Sequence, residues 1–307
     1  MTFRTEHSGS RRTDGFIIVV VLWLLATLAV LTTAFSAYVK STAVSTRVGD
    51  ERAKVEALVD AALEFTIYRR SIDKFNATAG SFSFGIANST INIDFVSEGA
   101  WIDLNAAPRS LIAGLFEVLG ATKDDANQYA DRVVAWRTPP TSSAETAEDA
   151  LYESAGLPYL PRSGPFAHIN ELWLVLGLPA SLVERALPFV TIFSGRPEVN
   201  VFDAPAEVIA ALPGISRTRI DKFLALRDTA KPDWQSALET LGADQVLATT
   251  ARSETVRVFV RITSDNGAQT RAEVTILPSQ DNDYHVLSWS DDFTTAASAT
   301  DFRSRSK

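Results

Sequence analysis

The sequence has 307 residues, enough for roughly two domains of about 150 residues each, and 46% of them are hydrophobic, which excludes a globally disordered chain. It contains no cysteine, which excludes disulfides, iron–sulfur clusters, thiolate zinc sites and cysteine nucleophiles. The formal net charge of −8 argues against a general nucleic-acid-binding protein, because DNA and RNA are polyanions.

An uncharged apolar run extends from Phe16 to Val39 near the start of the chain. As a helix rising 1.5 Å per residue it would be about 36 Å long, enough to cross a hydrocarbon core of about 30 Å. Arg11 and Arg12 precede the run and Lys40 follows it. The positive-inside rule therefore predicts a cytoplasmic N-terminus and places the rest of the chain on the other side of the membrane.

Three interpretations of this run compete. Ala34–Ala37 offers a small-residue site for a cleaved signal peptide, but the run is longer than the usual apolar region of about 7–15 residues. An ordinary signal anchor is the second interpretation. The third, a prepilin-type leader, is favoured because the polar leader ends in Gly15 and the apolar helix starts at Phe16 without a spacer. A prepilin peptidase cuts between such a Gly and Phe and leaves the helix attached.

Apolar residues continue at helical spacing beyond the run, with charged residues between them, as far as about Arg70. They are Val48, Val55, Leu58, Val59, Ala62, Leu63 and Phe65. The membrane helix is therefore predicted to continue as an amphipathic helix. This combination resembles the spine helix of pilins; the alternative is a signal anchor followed by an unrelated helix.

The remaining pattern predicts strands on either side of a helical block. Two short strands are expected in Ser81–Val96, a hairpin in Val256–Thr263 and Gln269–Leu277, and a further strand in Tyr284–Trp289. A loop is expected at Thr138 to Pro158. Helices are predicted over Ala106–Leu119, Lys123–Trp136, Ile169–Leu176, Ala180–Leu187, Pro205–Leu212 and Arg217–Leu226. Helices enclosed by strands of one sheet imply an inserted domain.

The helical block contains a weak internal repeat. Leu104–Ala113 parallels Val201–Ala210, and both contain an Ala-Pro pair where a helix is expected to start. The second copy ends in a helix-hairpin-helix turn at Pro213, Gly214 and Ile215, in which the glycine supplies the unusual backbone angles.

Such turns elsewhere bind DNA phosphate through backbone N–H groups, and Arg217, Arg219 and Lys222 follow this one. A membrane-anchored helix-hairpin-helix DNA-binding or competence-type protein is therefore the alternative function. The acidic chain argues against it, and no nucleic acid is expected as a partner.

Together these motifs resemble the general secretion pathway protein K family, the largest minor pseudopilin of type II secretion systems. The resemblance covers most of Gly15 to Leu277 and lies in the order and spacing of short motifs rather than in any one of them. They are Gly15-Phe16, Trp23, Asn105–Pro108, Ala147–Asp149, Tyr152, Pro158-Tyr159, Gly164–Phe166, Asn170–Leu172, Leu176-Gly177, Asn200, Ala204–Val208 and Leu212–Ile215.

The resemblance implies an α+β fold with a long N-terminal transmembrane and spine helix. A pilin-like α/β domain with an antiparallel sheet is then interrupted by a large all-α, helix-hairpin-helix-like inserted domain. The corresponding divisions are a prepilin leader at 1–15, a transmembrane segment at 16–39, the pilin-like domain at 40–104 and 250–290, the inserted domain at 105–249 and a flexible tail at 291–307.

The family implies a minor pseudopilin that caps the tip of the periplasmic pseudopilus and helps to initiate its assembly for protein export, with no catalytic activity. Prepilin peptidase cleavage after Gly15 and N-methylation of Phe16 are expected. Val20 becomes the fifth mature residue, where most pilins carry a glutamate that pairs with a neighbour's N-terminal amine. The glutamate pairs with the buried ammonium of the subunit above, because an unpaired charge in hydrocarbon is costly. A subunit with nothing above it has no such ammonium to pair with and needs no carboxylate. Val20 therefore marks the tip position.

The implied partners are the sister minor pseudopilins I and J, the major pseudopilin, prepilin peptidase and the inner-membrane assembly platform. The implied location is the bacterial inner membrane, crossed once with the N-terminus in the cytoplasm and the bulk in the periplasm, before incorporation into the periplasmic pseudopilus.

Some family members bind calcium in a loop that corresponds here to Thr138–Tyr159. Glu148 and Asp149 are the candidate ligands in this chain, although calcium prefers six to eight oxygens. Where the family has an Asp-rich element, this sequence reads Trp136–Pro140, and Arg137 within it would repel a cation. No cofactor is therefore expected to be required, and calcium stays a candidate.

An enzyme is the remaining class. The three histidines, His7, His168 and His285, lie in separate segments. The sequence contains no His-Glu-x-x-His, no Gly-x-Ser-x-Gly and no P-loop, so an enzyme is disfavoured.

Overall fold

The computed structural model describes residues 14–72, 78–86, 88–139, 145–227, 234–242, 246–265, 267–279 and 283–292. Most of the leader and the tail beyond residue 292, which was expected to be flexible, lie outside these ranges. The chain divides into two compact units, Met1–Ala57 and Leu58–Lys307, each of which is described by itself.

Within the described ranges the chain forms eight α-helices and nine strands. The helices are α1 (Asp14–Ile72), α2 (Arg109–Val118), α3 (Lys123–Arg137), α4 (Glu145–Ser154), α5 (Ala180–Ala186), α6 (Ala206–Ala210), α7 (Arg217–Arg227) and α8 (Trp234–Leu241). The strands are β1 (Ala79–Ile86), β2 (Ser89–Ser97), β3 (Ile102–Asp103), β4 (Val190–Thr191), β5 (Val199–Asn200), β6 (Ala248–Thr249), β7 (Val256–Ser264), β8 (Gln269–Pro278) and β9 (Tyr284–Asp292).

The first unit is the N-terminal part of α1. Phe16–Lys40 has a mean hydropathy of 2.7, none of it is buried, and it is long and apolar enough to cross a membrane. The hydroxyl of Thr27 donates to the carbonyl of Leu24, and that of Thr33 to the carbonyl of Ala29. These bonds satisfy polar groups that hydrocarbon would not solvate. The helix that the sequence predicts through the apolar run is confirmed.

The second unit is organised around a five-stranded antiparallel sheet with the order β1-β2-β7-β8-β9. Its apolar face packs against the C-terminal part of α1, where the Phe65 ring lies 5.5 Å from that of Phe82 and 5.0 Å from that of Phe84. Ile91 and Ile93 on this face are fully buried. The predicted strands and the β7–β8 hairpin are confirmed, because alternation along each strand separates one apolar face from one polar face.

The chain between β2 and β7 is largely helical, and its buried residues form one core. The expected α+β class, with a helical block between the strands of an antiparallel sheet, is confirmed. The block also contains short parallel pairs, β3 with β4 and β5 with β6, which the sequence pattern did not reveal because each strand has only two residues. Helix α8 was likewise not predicted.

The expectation of a loop over Thr138 to Pro158 was wrong in part, because α4 lies within it. Tyr152 on α4 is fully buried, and its ring lies 6.1 Å from that of Trp136 and 6.0 Å from that of Tyr159. Its hydroxyl accepts a hydrogen bond from the N–H of Leu176 at 2.9 Å. Tertiary burial of this aromatic side chain explains why a segment that is polar in sequence is helical in the fold.

The internal repeat is confirmed as two similar helical hairpins, α2–α3 and α6–α7. The N–H of Ala107 donates to the carbonyl of Asp103 at 2.8 Å, and in the second copy the N–H of Ala204 donates to that of Asn200 at 3.0 Å. Pro108 and Pro205 each stand at the cap position immediately before the helix, whereas the pattern placed them at an early helical position. At that position the missing N–H of proline costs no helical hydrogen bond.

An arginine at the end of the second helix closes each hairpin. Arg137 donates through Nη1 to the carbonyl of Leu104 and through Nη2 to that of Ala107. Arg227 donates through Nη1 to the carbonyls of Val201 and Ala204, which are the equivalent positions of the repeat. Because these contacts recur at matching residues, the two hairpins share a design that extends beyond the Ala-Pro motif.

Candidate functional site

The residues expected at the processing site share one helix. α1 begins at Asp14, so the backbones of Gly15 and Phe16 are helical, and the Phe16 side chain is 73% exposed. Val20 follows one helical turn later and is 40% exposed. Phe16 and Val20 therefore lie on the same side of α1, and the side chain at position 20 offers no hydrogen-bond acceptor.

The hairpin turn lies in the second unit, between α6 and α7. Gly214 has a φ of +71°, a left-handed conformation that favours glycine. The N–H of Ile215 donates to the carbonyl of Leu212 at 3.3 Å and closes the turn, while Pro213 is exposed.

Two of the basic residues that phosphate binding would need already have contacts within the chain. Arg217 Nε lies 3.3 Å from Asp221 Oδ1, and Arg219 Nη1 donates to the carbonyl of Leu241 at 3.5 Å. Lys222 is exposed on the same helix. The turn therefore has the form of a helix-hairpin-helix element, but part of its basic flank serves the packing of α7 and α8.

The calcium candidates lie on α4. Glu148 Oε2 accepts a hydrogen bond from Arg132 Nη1 at 2.8 Å, and Glu148 Oε1 is buried with no hydrogen-bond partner among the described residues. Asp149 is partly exposed, and Arg137 is directed to backbone carbonyls. Within the described ranges no three or more His, Cys, Asp or Glu side chains converge on one point. Calcium needs six to eight oxygens, so this donor set does not fit the ion.

The two histidines within the described ranges serve local structure or lie at the surface. His168 caps the short 3-10 helix Ile169–Leu174, because its Nδ1 accepts a hydrogen bond from the N–H of Asn170 at 3.1 Å. His285 is exposed on β9. His7 lies outside the described residues.

Sequence reasoning missed a buried ionic cluster where the sheet meets the helical block. Glu98, fully buried directly after β2, accepts hydrogen bonds from Arg257 Nε at 2.7 Å and Nη2 at 3.0 Å. Thr275 donates to Glu98 Oε1 at 3.2 Å, and the hydroxyl of Thr191 donates to Oε2. The carboxylate therefore bridges two strands of the sheet and β4 of the helical block.

Arg257 is held on two further sides. Glu273 Oε1 lies 3.2 Å from its Nη1, and its Cζ lies 4.1 Å from the centre of the Trp101 ring. Burial lowers the pKa of Arg257, but the charges of Glu98 and Glu273 and the hydrogen bonds to Glu98 raise it by more, so the guanidinium stays charged. The sequence contains one signal for this cluster. Arg257 alternates with valines in β7, and this alternation places it on the polar face of the sheet.

Comparisons with known proteins agree with the resemblance. Residues 89–195 match the family described as Type II secretion system (T2SS), protein K. The fold is similar to that of one chain in the crystal structure of the GspK-GspI-GspJ complex from the enterotoxigenic Escherichia coli Type 2 Secretion System. The TM-score is 0.57 at 16% identity, and the match covers 80% of this chain and 99% of that chain. No curated protein matches the sequence. The resemblance to the protein K family is therefore confirmed.

Proposed function

We propose that this chain is a K-type minor pseudopilin that caps the tip of a periplasmic pseudopilus and helps to initiate its assembly for protein export. The observation that carries the proposal is the match of residues 89–195 to the protein K family. This region spans β2, the first helical hairpin and the buried Glu98, where the chain passes from the sheet into the helical block. The similarity to a chain of the GspK-GspI-GspJ complex supports the same assignment at the level of the fold.

The apolar helix has two roles in this proposal. Phe16–Lys40 first anchors the protein in the bacterial inner membrane, with the N-terminus in the cytoplasm and the bulk in the periplasm. Prepilin peptidase then cuts between Gly15 and Phe16, Phe16 is N-methylated, and the helix enters the core of the pseudopilus. Because Val20 offers no carboxylate to a neighbour's buried ammonium, the subunit has no neighbour above it and occupies the tip.

The partners in this proposal are the sister minor pseudopilins I and J, and support for them comes from the complex that contains the similar chain. The major pseudopilin, prepilin peptidase and the inner-membrane assembly platform complete the set. The helical block at 105–249 forms the bulk of the cap, and the pilin-like part at 40–104 and 250–290 carries the contacts with the sisters. The protein needs no cofactor and performs no catalysis in this role.

Mass spectrometry of the protein purified from membranes tests the processing step. We expect a mature N-terminus at Phe16, increased in mass by one methyl group. Replacing Gly15 with Val should block cleavage, because a branched side chain occupies the space left by the glycine, whereas Val20→Ala should be processed normally. A wild-type terminus at Met1 or Ala37 contradicts the proposal.

Co-purification tests the tip assignment separately. We expect I-type and J-type pseudopilins to be recovered with this chain in near-equal amounts, and the major pseudopilin only when filaments are present. The DNA-binding alternative predicts instead retention on a phosphate-rich matrix that falls steeply with added salt.

A further inference from the structure

The polar face of the five-stranded sheet carries two arginines directly opposite each other. The β7–β8 register pairs Arg261 with Arg271, and the β2–β7 register places Asn92 on the other side of Arg261. Both arginines are half-buried, and Nη1 of Arg271 is buried with no hydrogen-bond partner among the described residues. Like charges directly opposite on neighbouring strands repel each other, so an anion bound between them would be stabilising.

Arg257, earlier on β7, shows how this chain neutralises an arginine on the same face. It pairs with Glu98 at 2.7 Å and with Glu273 at 3.2 Å. The first of these carboxylates directly follows β2, and the second lies on β8. Glu273 Oε1 is therefore already engaged by Arg257, while the register places Glu273 diagonal to Arg261 as well.

The ion pairs between side chains that the structure describes include neither Arg261 nor Arg271. Two acidic residues lie near Arg261 by register. Asp94 on β2 and Glu273 on β8 are both opposite Phe259 and so diagonal to Arg261. Both compete with a partner's carboxylates for Arg261.

We propose that the surface formed by Asn92, Phe259, Arg261 and Arg271, the arginine patch, docks an acidic segment of a partner protein. Guanidinium groups match carboxylates in geometry and charge, and this sheet already binds carboxylates at Arg257. Phe259 lies on the same face and is partly exposed, and aromatic residues and arginine are the types enriched in protein interfaces. The net charge of −8 opposes a polyanion such as DNA but tolerates a short acidic segment beside two opposed arginines. The inference goes beyond the proposed function and does not depend on it.

Fluorescence anisotropy with the full-length protein in detergent tests the proposal. The probe is a labelled oligo-glutamate peptide, with an oligo-glutamine peptide of the same length as the uncharged reference. We expect wild-type protein to bind the glutamate peptide and not the glutamine peptide, with an affinity that falls as salt is added. The double variant Arg261→Gln/Arg271→Gln should bind about tenfold more weakly.

The matched control removes the same charge elsewhere. Arg52→Gln/Arg217→Gln replaces two exposed arginines of helical ion pairs, and its affinity should stay within about twofold of wild type. Asp94→Asn removes a competing carboxylate and should tighten binding. Equal losses in the two double variants, equal binding of both peptides, or no binding by wild type would overturn the proposal.

Two further measurements separate the proposal from two alternatives, arginines that already have partners within the chain and a nucleic acid as the partner. If the arginines are unpaired in the free protein, Arg261→Gln/Arg271→Gln removes a repulsion and should leave the melting temperature unchanged or raise it. A clear drop in that temperature would show that both arginines already have partners within the chain and would overturn the proposal. Displacement of the peptide by a single-stranded oligonucleotide at lower concentration would make the partner a nucleic acid and would also overturn it.

Discussion

Glu98 and Arg257 form a buried ion pair at the point where the helical block leaves the sheet and returns to it. Glu98 directly follows β2, and Arg257 is the second residue of β7, its neighbour in the sheet. The N–H of Glu98 also donates to the carbonyl of Thr255 at 3.0 Å, so the outgoing and incoming segments are held together by their backbones as well. The ion pair therefore fixes both ends of the block at one place on the sheet.

Removing one partner of the Glu98–Arg257 ion pair should destabilise the protein strongly. Arg257→Met leaves the Glu98 carboxylate buried and uncompensated, and we expect the free energy of unfolding to fall by about 3–5 kcal/mol. Urea denaturation followed by circular dichroism measures the change. The double variant Glu98→Leu/Arg257→Met should be less destabilised than Arg257→Met alone, because no buried charge is left unpaired. A double variant whose loss equals the sum of the two single losses would contradict the coupling.

Gly114 on α2 should not tolerate a side chain. A Cβ at this position would lie 2.0 Å from the carbonyl oxygen of Ala211, because α2 crosses close to the end of α6. Gly114→Ala should therefore destabilise the protein by about 2 kcal/mol, since the clash outweighs the better helix propensity of alanine. Thermal unfolding checks this. Ser110→Ala on an exposed part of the same helix is the control, expected within about 0.5 kcal/mol of wild type.

The two closing arginines should make similar contributions to stability. Arg137→Met and Arg227→Met each leave a pair of backbone carbonyls without their guanidinium donor, at equivalent positions of the repeat. We expect losses of about 2 kcal/mol in each case, measured by denaturant unfolding. A loss confined to one variant would show that the shared contacts do not carry equal weight in the two hairpins.

Asp203 should make stability depend on pH in an unusual direction. Burial raises its pKa above the ordinary value of an aspartate, against the opposing hydrogen bond from the Thr78 side chain and the charge of Arg227. The native state thus binds the proton more tightly than the unfolded state, so this residue's contribution is favourable in acid and is lost as the pH rises through its native pKa. Asp203→Asn should therefore be at least as stable as wild type at neutral pH.

The effect of Asp203 is measured by comparing how the melting temperatures of wild type and Asp203→Asn change with pH. Melting temperatures of wild type and Asp203→Asn should converge near pH 3, where the carboxyl group is protonated in both states. The hydrogen bond that Asn200 Nδ2 donates to Asp203 Oδ2, 3.0 Å long, can be kept by the side-chain oxygen of an asparagine at position 203. A variant that is less stable than wild type at neutral pH would contradict the direction of the effect.

Calcium should have little effect on the helical block. Arg132 holds Glu148, the main candidate ligand, in an ion pair of 2.8 Å, and both side chains are about one-fifth exposed. We expect the same melting temperature in excess calcium chloride and in a chelator. Arg132→Gln should lower the melting temperature in both conditions. A rise with calcium that saturates and disappears in Glu148→Gln would show that the ion binds.

Several elements follow from local pattern alone, for a clear physical reason. The uncharged run from Phe16 to Val39 determines a helix that is long and apolar enough to cross a membrane, where every backbone group must be bonded within the segment. Alternation in Val256–Thr263 and Gln269–Leu277 predicts the hairpin. The Ala-Pro repeat and Gly214 predict two helix starts and one turn, since the backbone angles of proline and glycine are intrinsic to those residues.

Contacts between residues far apart in sequence were not predictable in this way. The local pattern does not single out Glu98, which the fold buries beside Arg257 and Thr191. Helix α4 was not predicted because its polar residues resemble a loop and, among its side chains from Glu148 to Ser154, only Tyr152 is fully buried. The short parallel pairs are held by partners elsewhere in the chain.

The sequence by itself thus determined the apolar N-terminal helix, the strands of the sheet, the turn at Gly214 and the order of motifs typical of protein K. These depend on local propensity and on the period of the hydrophobic pattern. Only the tertiary structure decided which charges are buried together and which, such as Arg261 and Arg271, face each other on the polar side of the sheet. Those pairings depend on strand register and on packing between distant segments, which no local window of sequence contains.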